Sequence, residues 1–469
     1  MLQSKKKVIV VGGGFAGLTA GHKLIKENFD LEIIEKRSVL GGKWSAWQDE
    51  DQDWIETGLH VFFGAYQEIF DLMRELNIYE SIEWKEHILT YTLADGERFD
   101  FKTIKLPSPF HLLPAVFQNH YFSLLEKFSL AKALFPILFG SPKYLAEQDQ
   151  ITYQTWHQKL GIADKMLKKM FLPMTLALKF LPPEKISAKI VLDVSGTFLK
   201  RNDASKIGFL KGSPEIHLTK PIADSIRQKG GQITNNLKLI NINLKENDLN
   251  SIESLSFQAD NGEIIKKSAD YYLFALPIHN LKKLIPQAWE NNFDYFKGLK
   301  QIESVPVITL HLWLDRQVSG YDNILFSPDG LIPVYADLGN TSSDYKKQSA
   351  GKSRFQFVIA PAFELIDKSD EFIIEKVWQD LKSIFPDTAP QAKILKAKVV
   401  KVPQSVYWPN INTDKLRVLQ KSPIDNLALA GGYTKQRFYD SMEGAVRSGN
   451  RAADVIICAE NKQNWQATD

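Results

Sequence analysis

The chain has 469 residues, 44% apolar and 24% charged, and a formal net charge of +3. That length builds two or three domain-sized units around a large core, and the near-balanced charge excludes a nucleic-acid footprint. A lone cysteine, Cys458, excludes an intrachain disulfide, and no stretch approaches the ~18 apolar residues of a membrane-spanning helix.

Lys5-Lys6-Lys7 solvate the start of Val8-Ile9-Val10-Val11, a β-branched run that predicts a buried parallel strand. Gly12-Gly13-Gly14-Phe15-Ala16-Gly17 follows at once, then Leu18–Ile25 at helical spacing, then a second strand, Leu31–Ile34, ending in Glu35. A G-x-G-x-x-G between strand and helix, with an acid about twenty residues on, is the dinucleotide fingerprint in its required context. Gly12 permits the tight turn, Gly14 lets the backbone approach a pyrophosphate, and Gly17 lets the helix pack on the strand. Phe15 and Ala16 open the helix whose free N–H groups face the phosphates, and Glu35 accepts from ribose hydroxyls.

Lys36 and Arg37 precede Gly41-Gly42-Lys43-Trp44, where the paired glycines let the main chain pass close to a cofactor and leave Lys43 beside it. Trp44, Trp47 and Trp54 alternate through a hairpin-like stretch around Asp49-Glu50-Asp51, and Glu56–Tyr66 is dense in glycine and aromatics. Ile69, Leu72, Met73 and Leu76 fall at helical spacing. From Leu106 a Pro-punctuated apolar segment leads into Leu124-Leu125, Phe128, Leu134-Phe135 and Phe139, with Lys127 and Lys132 interspersed. This region is either an interfacial amphipathic surface with snorkelling lysines or the core of a helical subdomain. Helices over Thr152–Leu160 and Lys165–Phe180 follow, and Pro182-Pro183 breaks the pattern.

Near Ser205 the α/β pattern returns. Leu218–Gln228 predicts a helix, Gly230-Gly231 opens strands through Ile233, Leu237, Leu239 and Ile242, and Asp270–Pro277 is another buried strand. Val305–Leu314 alternates, with His311 reading as a hydrogen-bonded sheet residue. Leu427–Gly432 is a strand ending in glycines, and a helix runs from about Met442 to Cys458. The expected fold is α/β: a discontinuous Rossmann-like cofactor domain from residues 1–105, 205–290 and 400–469. Into it are inserted a helical part, 106–204, and a strand-rich part, 291–399, which make an α+β substrate domain. There is no G-x-S-x-G or H-E-x-x-H, and the histidines and acids do not fall at metal-ligand spacing, so no metal is expected. A cofactor gripped by distant parts of the chain suits this layout, as FAD requires.

Gly41-Gly42-Lys43, Glu56–Gly64, Leu210-Lys211-Gly212-Ser213-Pro214, Ala430–Gln436 and Asp440–Ala445 resemble the plant and cyanobacterial-type carotene desaturases. These are phytoene desaturase and ζ-carotene desaturase, of the flavin amine oxidase superfamily, and the resemblance spans nearly the whole chain. It implies FAD, touched also by Lys36, Gly42, Lys43, Gly58, Leu59, His60 and Leu239. Gly431, Gly432, Met442 and Ala445 join them from the last piece. The helix from Met442 would aim its N-terminus at the flavin, with Glu443 turned away to cap a helix or hold the ribityl end. His217 and Tyr433 are the candidates beside the ring, and the flavin itself accepts the hydride.

The implied substrate is a linear carotene in an apolar tunnel, with Phe62, Phe63, Tyr433 and Phe438 as candidate walls and a quinone as electron acceptor. With no secretory leader after Met1, the chain is expected on the cytoplasmic side, peripheral to a membrane surface. Two departures stand out. Gly432 replaces an Asp whose carboxylate binds the FAD ribityl or phosphate region in phytoene desaturases, and His217 replaces an Arg close to the flavin. Both push the substrate toward ζ-carotene and away from phytoene, and Asp or Ser placed at 432 is expected to leave or tighten FAD binding. A flavin-dependent oxidoreductase or isomerase of another apolar terpenoid, such as a squalene-pathway intermediate, stays open, as does a carotenoid binder without turnover.

Overall fold

Five parallel strands form one sheet, in the order Gln232–Thr234, Asp30–Ile34, Lys7–Val11, Tyr271–Phe274 and Leu427–Leu429. The computed structural model describes residues 5–104, 106–108 and 110–467; Pro109 and the side chains of Leu112, Leu113 and Pro114, within the Pro-punctuated run, lie outside it. The strand Lys7–Val11 is apolar and buried from Val8 to Val11 because both its faces are covered there. Val8 and Val10 pack with Leu18, Leu24 and Val446 of the flanking helices. Ile9 and Val11 share a core with Leu255 and Phe257. Those two residues belong to a three-stranded antiparallel sheet built from Leu237–Lys245, Asp248–Ala259 and Ile264–Lys267.

A second, seven-stranded sheet runs Ile394–Tyr407, Ser304–Leu314, Arg354–Ile359, Val334–Asp337, Leu325–Phe326, Ile88–Thr92 and Arg98–Lys102. Residues 88–102, expected with the cofactor-binding pieces, are thus strands of this sheet, and Ile394–Tyr407 runs through the expected boundary at 400. Aromatic packing explains the first shift: Tyr91 stacks on Phe99 at 4.7 Å and on Phe326 at 5.4 Å. The tryptophan hairpin pairs Ala46–Gln48 with Trp54–Glu56. Its Asp49, Asp51 and Asp53 all lie 2.7 Å from Lys396 Nζ, which ties it to the second sheet.

The helix Leu124–Phe139 opens on a capping box between Ser123 and Glu126. It buries Leu130, Ala133 and Ile137, yet Leu124, Leu125, Phe128, Phe135 and Phe139 are 59–83% exposed along one stripe. The helix thus has a core-packed face and, opposite it, an exposed apolar stripe. Lys127 is buried and donates to Phe117 O, whereas Lys132 is exposed and donates to Gly161 O. Among the described residues, no helix is long and apolar enough to cross a membrane.

The first helix, Phe15–Lys26, and the last, Met442–Glu460, cross at backbone contact. A Cβ at Gly449 would sit 2.3 Å from the Ala16 carbonyl oxygen. Gly449→Val should force the two helices apart and cost about 1–3 kcal/mol; thermal unfolding with an unchanged Tm would refute that packing.

Candidate active site

The carboxyl ends of the parallel strands gather turns that are far apart in sequence. Gly12, at φ +113°, donates to Ile34 O at 2.8 Å, and a Cβ on Gly17 would lie 1.9 Å from Gly12 O. Gly41 N donates to Gly13 O at 2.9 Å, which sets the Gly41-Gly42 turn beside the first loop. Glu35 is buried and accepts from Gly13 N at 2.8 Å and from Arg37 N at 3.0 Å. Each carboxylate oxygen keeps a lone pair for a ribose hydroxyl. The neighbouring Lys36 is exposed, whereas Arg37, not singled out from sequence, donates to Gly42 O at 3.1 Å. Leu237 N donates to Glu35 O, and the buried Leu239 follows it on the same strand.

Gly14 behaves differently from Gly17. A Cβ there would meet only Gly42 Cα, at 3.6 Å, so the protein's own packing tolerates a methyl. The demand for glycine comes from whatever approaches the loop. The first helix has Gly14 as its N-cap with no side-chain cap, which leaves its opening N–H groups for an anionic ligand.

The loop Thr57–His60 lies against the second glycine turn. Thr57 Oγ1 donates to Lys43 O at 2.6 Å, and the His60 ring stacks on Trp44 at 4.1 Å, its Nε2 lying 3.1 Å from Lys43 O. Gly58 faces the same imidazole, and Leu59 packs against the core. The seven-stranded sheet braces this loop. Thr309 Oγ1 donates to Thr57 O at 2.9 Å, and His311 Nε2 lies 2.9 Å from Glu56 O. Burial pushes the His311 pKa down to about 4, so it serves as a neutral sheet residue. Tyr345 donates to Glu56 Oε1 at 2.6 Å with the Arg354 guanidinium 3.9 Å over its ring, a buried polar chain that no sequence pattern announced.

The last piece completes the cradle. Ser441 caps the helix Met442–Glu460 by accepting from Gly444 N at 3.1 Å; Met442 is buried and Ala445 half-buried at its first turn. Glu443 turns away: its carboxylate, 0% exposed, accepts from Gln67, Glu68 and Ile69 N–H groups and so caps the helix Glu68–Glu75. Tyr433 folds its ring over Gly431, and its buried hydroxyl has no hydrogen-bond partner among the described residues. His217 is committed to Asp344, 2.8 Å away. Phe62, expected as a tunnel wall, is 0% exposed between Trp44 and Phe70 and belongs to the core. Phe63 packs at a tilt against Phe198, and Phe438 meets Tyr66 edge to face.

Gly432 overturns one expectation. A Cβ there would lie 2.2 Å from Asp440 Oδ1 and 2.8 Å from Asp440 Cα, so an added side chain is not tolerated as expected. The Asp440 carboxylate already fills that volume, held by Lys43 Nζ at 2.8–2.9 Å and by Tyr407 N at 3.0 Å. Asp440 lies inside the motif used for the resemblance, but nothing in its spacing marked this role.

A glycine cradle with open N–H groups, an acid with spare lone pairs, and an unpartnered tyrosine hydroxyl fit an elongated dinucleotide. A family model described as flavin containing amine oxidoreductase matches residues 15–457. Among curated proteins the chain is similar to 15-cis-phytoene desaturase, chloroplastic/chromoplastic, of Arabidopsis thaliana, 39% identical over 96% of this chain and 80% of that protein. It is 36% identical to 15-cis-phytoene desaturase of Synechococcus elongatus, over 97% of each chain. It is 33% identical to zeta-carotene desaturase of Synechocystis, over 96% of this chain and 97% of that one. An oxidoreductase of Methanosarcina mazei shares its fold with a TM-score of 0.73 at 17% identity, covering 96% of this chain and 100% of that one. A putrescine oxidase does so with a TM-score of 0.70 at 14% identity, covering 97% and 99%.

The chain belongs to the flavin-containing amine oxidoreductases, and within them to the carotene desaturases. It is an FAD-dependent oxidoreductase. Gly14→Val should leave the fold intact and abolish FAD retention; a variant purified with its flavin absorbance retained would contradict this use of the loop.

Proposed function

We propose that this chain dehydrogenates a linear carotene, with phytoene ahead of ζ-carotene as substrate. The carrying observation is similarity to phytoene desaturases along 96–97% of the chain at 36–39% identity, against 33% for the zeta-carotene desaturase. The two departures that pointed the other way lose force in three dimensions. Asp440 occupies the space beside Gly432, and His217 pairs with Asp344, so neither position is left as an empty substrate-facing site. ζ-Carotene remains the second reading, favoured by the same two residues as they stand in sequence.

Bound FAD supplies the hydride acceptor. The chain's part is to hold and dry the reacting groups. The N-terminal turn of the helix Met442–Glu460 would offer positive dipole to a flavin held at this turn, and Glu443 would not cancel it because its carboxylate is spent on another helix. The Thr57–His60 loop, braced by Thr309 and His311, fixes the cofactor-side wall against the substrate-side sheet. A hydrocarbon substrate offers no polar handle, so orientation falls to shape and apolar contact.

Such a substrate is dissolved in lipid. The exposed stripe Leu124, Leu125, Phe128, Phe135 and Phe139 is the surface through which the protein rests on a membrane, where a quinone is also at hand as electron acceptor. Expression in a host accumulating phytoene, beside one accumulating ζ-carotene, tests the substrate: loss of phytoene is expected, and loss of ζ-carotene alone would favour the second reading. Phe135→Asp with Phe139→Asp should lower co-flotation with liposomes several-fold without changing Tm; equal flotation would remove the stripe from membrane contact.

A further inference from the structure

The flavin cradle contains a carboxylate that none of the glycine turns explains. Asp440 stands 397 positions from Lys43, yet Lys43 Nζ lies 2.9 Å from its Oδ1 and 2.8 Å from its Oδ2. Its Oδ2 also accepts from Tyr407 N at 3.0 Å. Its Oδ1 accepts from Lys43 alone among the described residues, which leaves an acceptor position open. That oxygen sits 2.2 Å from where a Cβ on Gly432 would be, above the turn that ends the last parallel strand. The carboxylate is 16% exposed and the lysine 40%, so the pair is open on one side.

An exposed ion pair of this kind adds little to folding. Displacing a side chain from 432 to make room for it is costly unless the carboxylate has another use. FAD brings a ribityl chain of hydroxyl donors that needs acceptors along the same groove. We infer that Asp440 is an FAD ligand of this chain, its Oδ1 accepting from a ribityl hydroxyl at the point that a side chain at position 432 would otherwise occupy. Gly432 is the complement of Asp440: the glycine is required because the acid arrives from eight residues further on. Lys43 is held in place by the same carboxylate.

The inference rests on the flavin assignment, and wild-type protein that neither copurifies with nor rebinds FAD would remove both. Given FAD binding, the apo-protein is prepared and titrated with FAD by flavin fluorescence, with melting temperatures measured with and without FAD. Asp440→Ala should raise the FAD Kd about ten- to a hundred-fold, the range for losing a hydrogen bond to a charged group. The apo-protein Tm should be unchanged, and the FAD-induced rise in Tm should shrink. Gly432→Asp alone should lose FAD, because the new side chain meets Asp440, and Gly432→Asp with Asp440→Ala should bind more tightly than Gly432→Asp.

Lys43→Met separates direct from indirect action. If Asp440 touches the ribityl chain, Asp440→Ala still weakens binding at least tenfold in the Lys43→Met background. No further loss in that background would reduce Asp440 to orienting the lysine and overturn the inference. So would a Kd within twofold of wild type in Asp440→Ala, or Gly432→Asp binding FAD as well as wild type. Should Asp440→Ala fail to fold, Asp440→Leu, close in size and without an acceptor, takes its place with the same criteria.

Discussion

The backbone contact between the first and last helices is what the cofactor cradle depends on. Gly449 meets the Ala16 carbonyl with no room for a side chain, and this draws the C-terminal helix against the glycine-loop helix. The strand Leu427–Leu429 is held in the same sheet through Tyr271–Phe274, so the turn that follows it opens on the same edge as the first loop. Close helix packing through a small residue substitutes for covalent continuity. Pieces of chain far apart in sequence meet at one edge of the parallel sheet because glycines let their backbones touch.

Charge is distributed around the cradle with an evident division of labour. Glu443 lies at the start of the last helix, where its charge would help the helix but oppose electron density on a nearby ring. It is instead buried against the amides of Gln67, Glu68 and Ile69, where burial raises its pKa and the three N–H groups pull it back down. The acid therefore serves as the N-cap of a second helix and fastens the third piece of the cofactor domain to the first. Lys43 and Asp440 make the corresponding link on the opposite side of the turn.

The outer surface carries a different signal. A helix that packs inward through Leu130, Ala133 and Ile137 has no need of leucines and phenylalanines on its outer side, and water penalises them there. The buried Lys127 turns inward onto the Phe117 carbonyl, which keeps its side chain off the stripe.

The βαβ start, the acid at Glu35, the hairpin of tryptophans and the last strand–glycine–helix unit were legible from the residues alone, because each depends on short-range periodicity and on glycine where backbones must approach. Long-range partners were not. No pattern says that residues 88–102 pair into the second sheet, since a hairpin's alternation buries one face without naming what covers it. Nor could spacing reveal that Arg37 rather than Lys36 reaches Gly42, that Phe62 is core, or that Asp440 fills the volume beside Gly432. Local sequence determined which elements form and that they build a dinucleotide site. Only the tertiary structure decided which charges meet there, because side chains hundreds of residues apart acquire partners when the sheet order brings their turns to one edge.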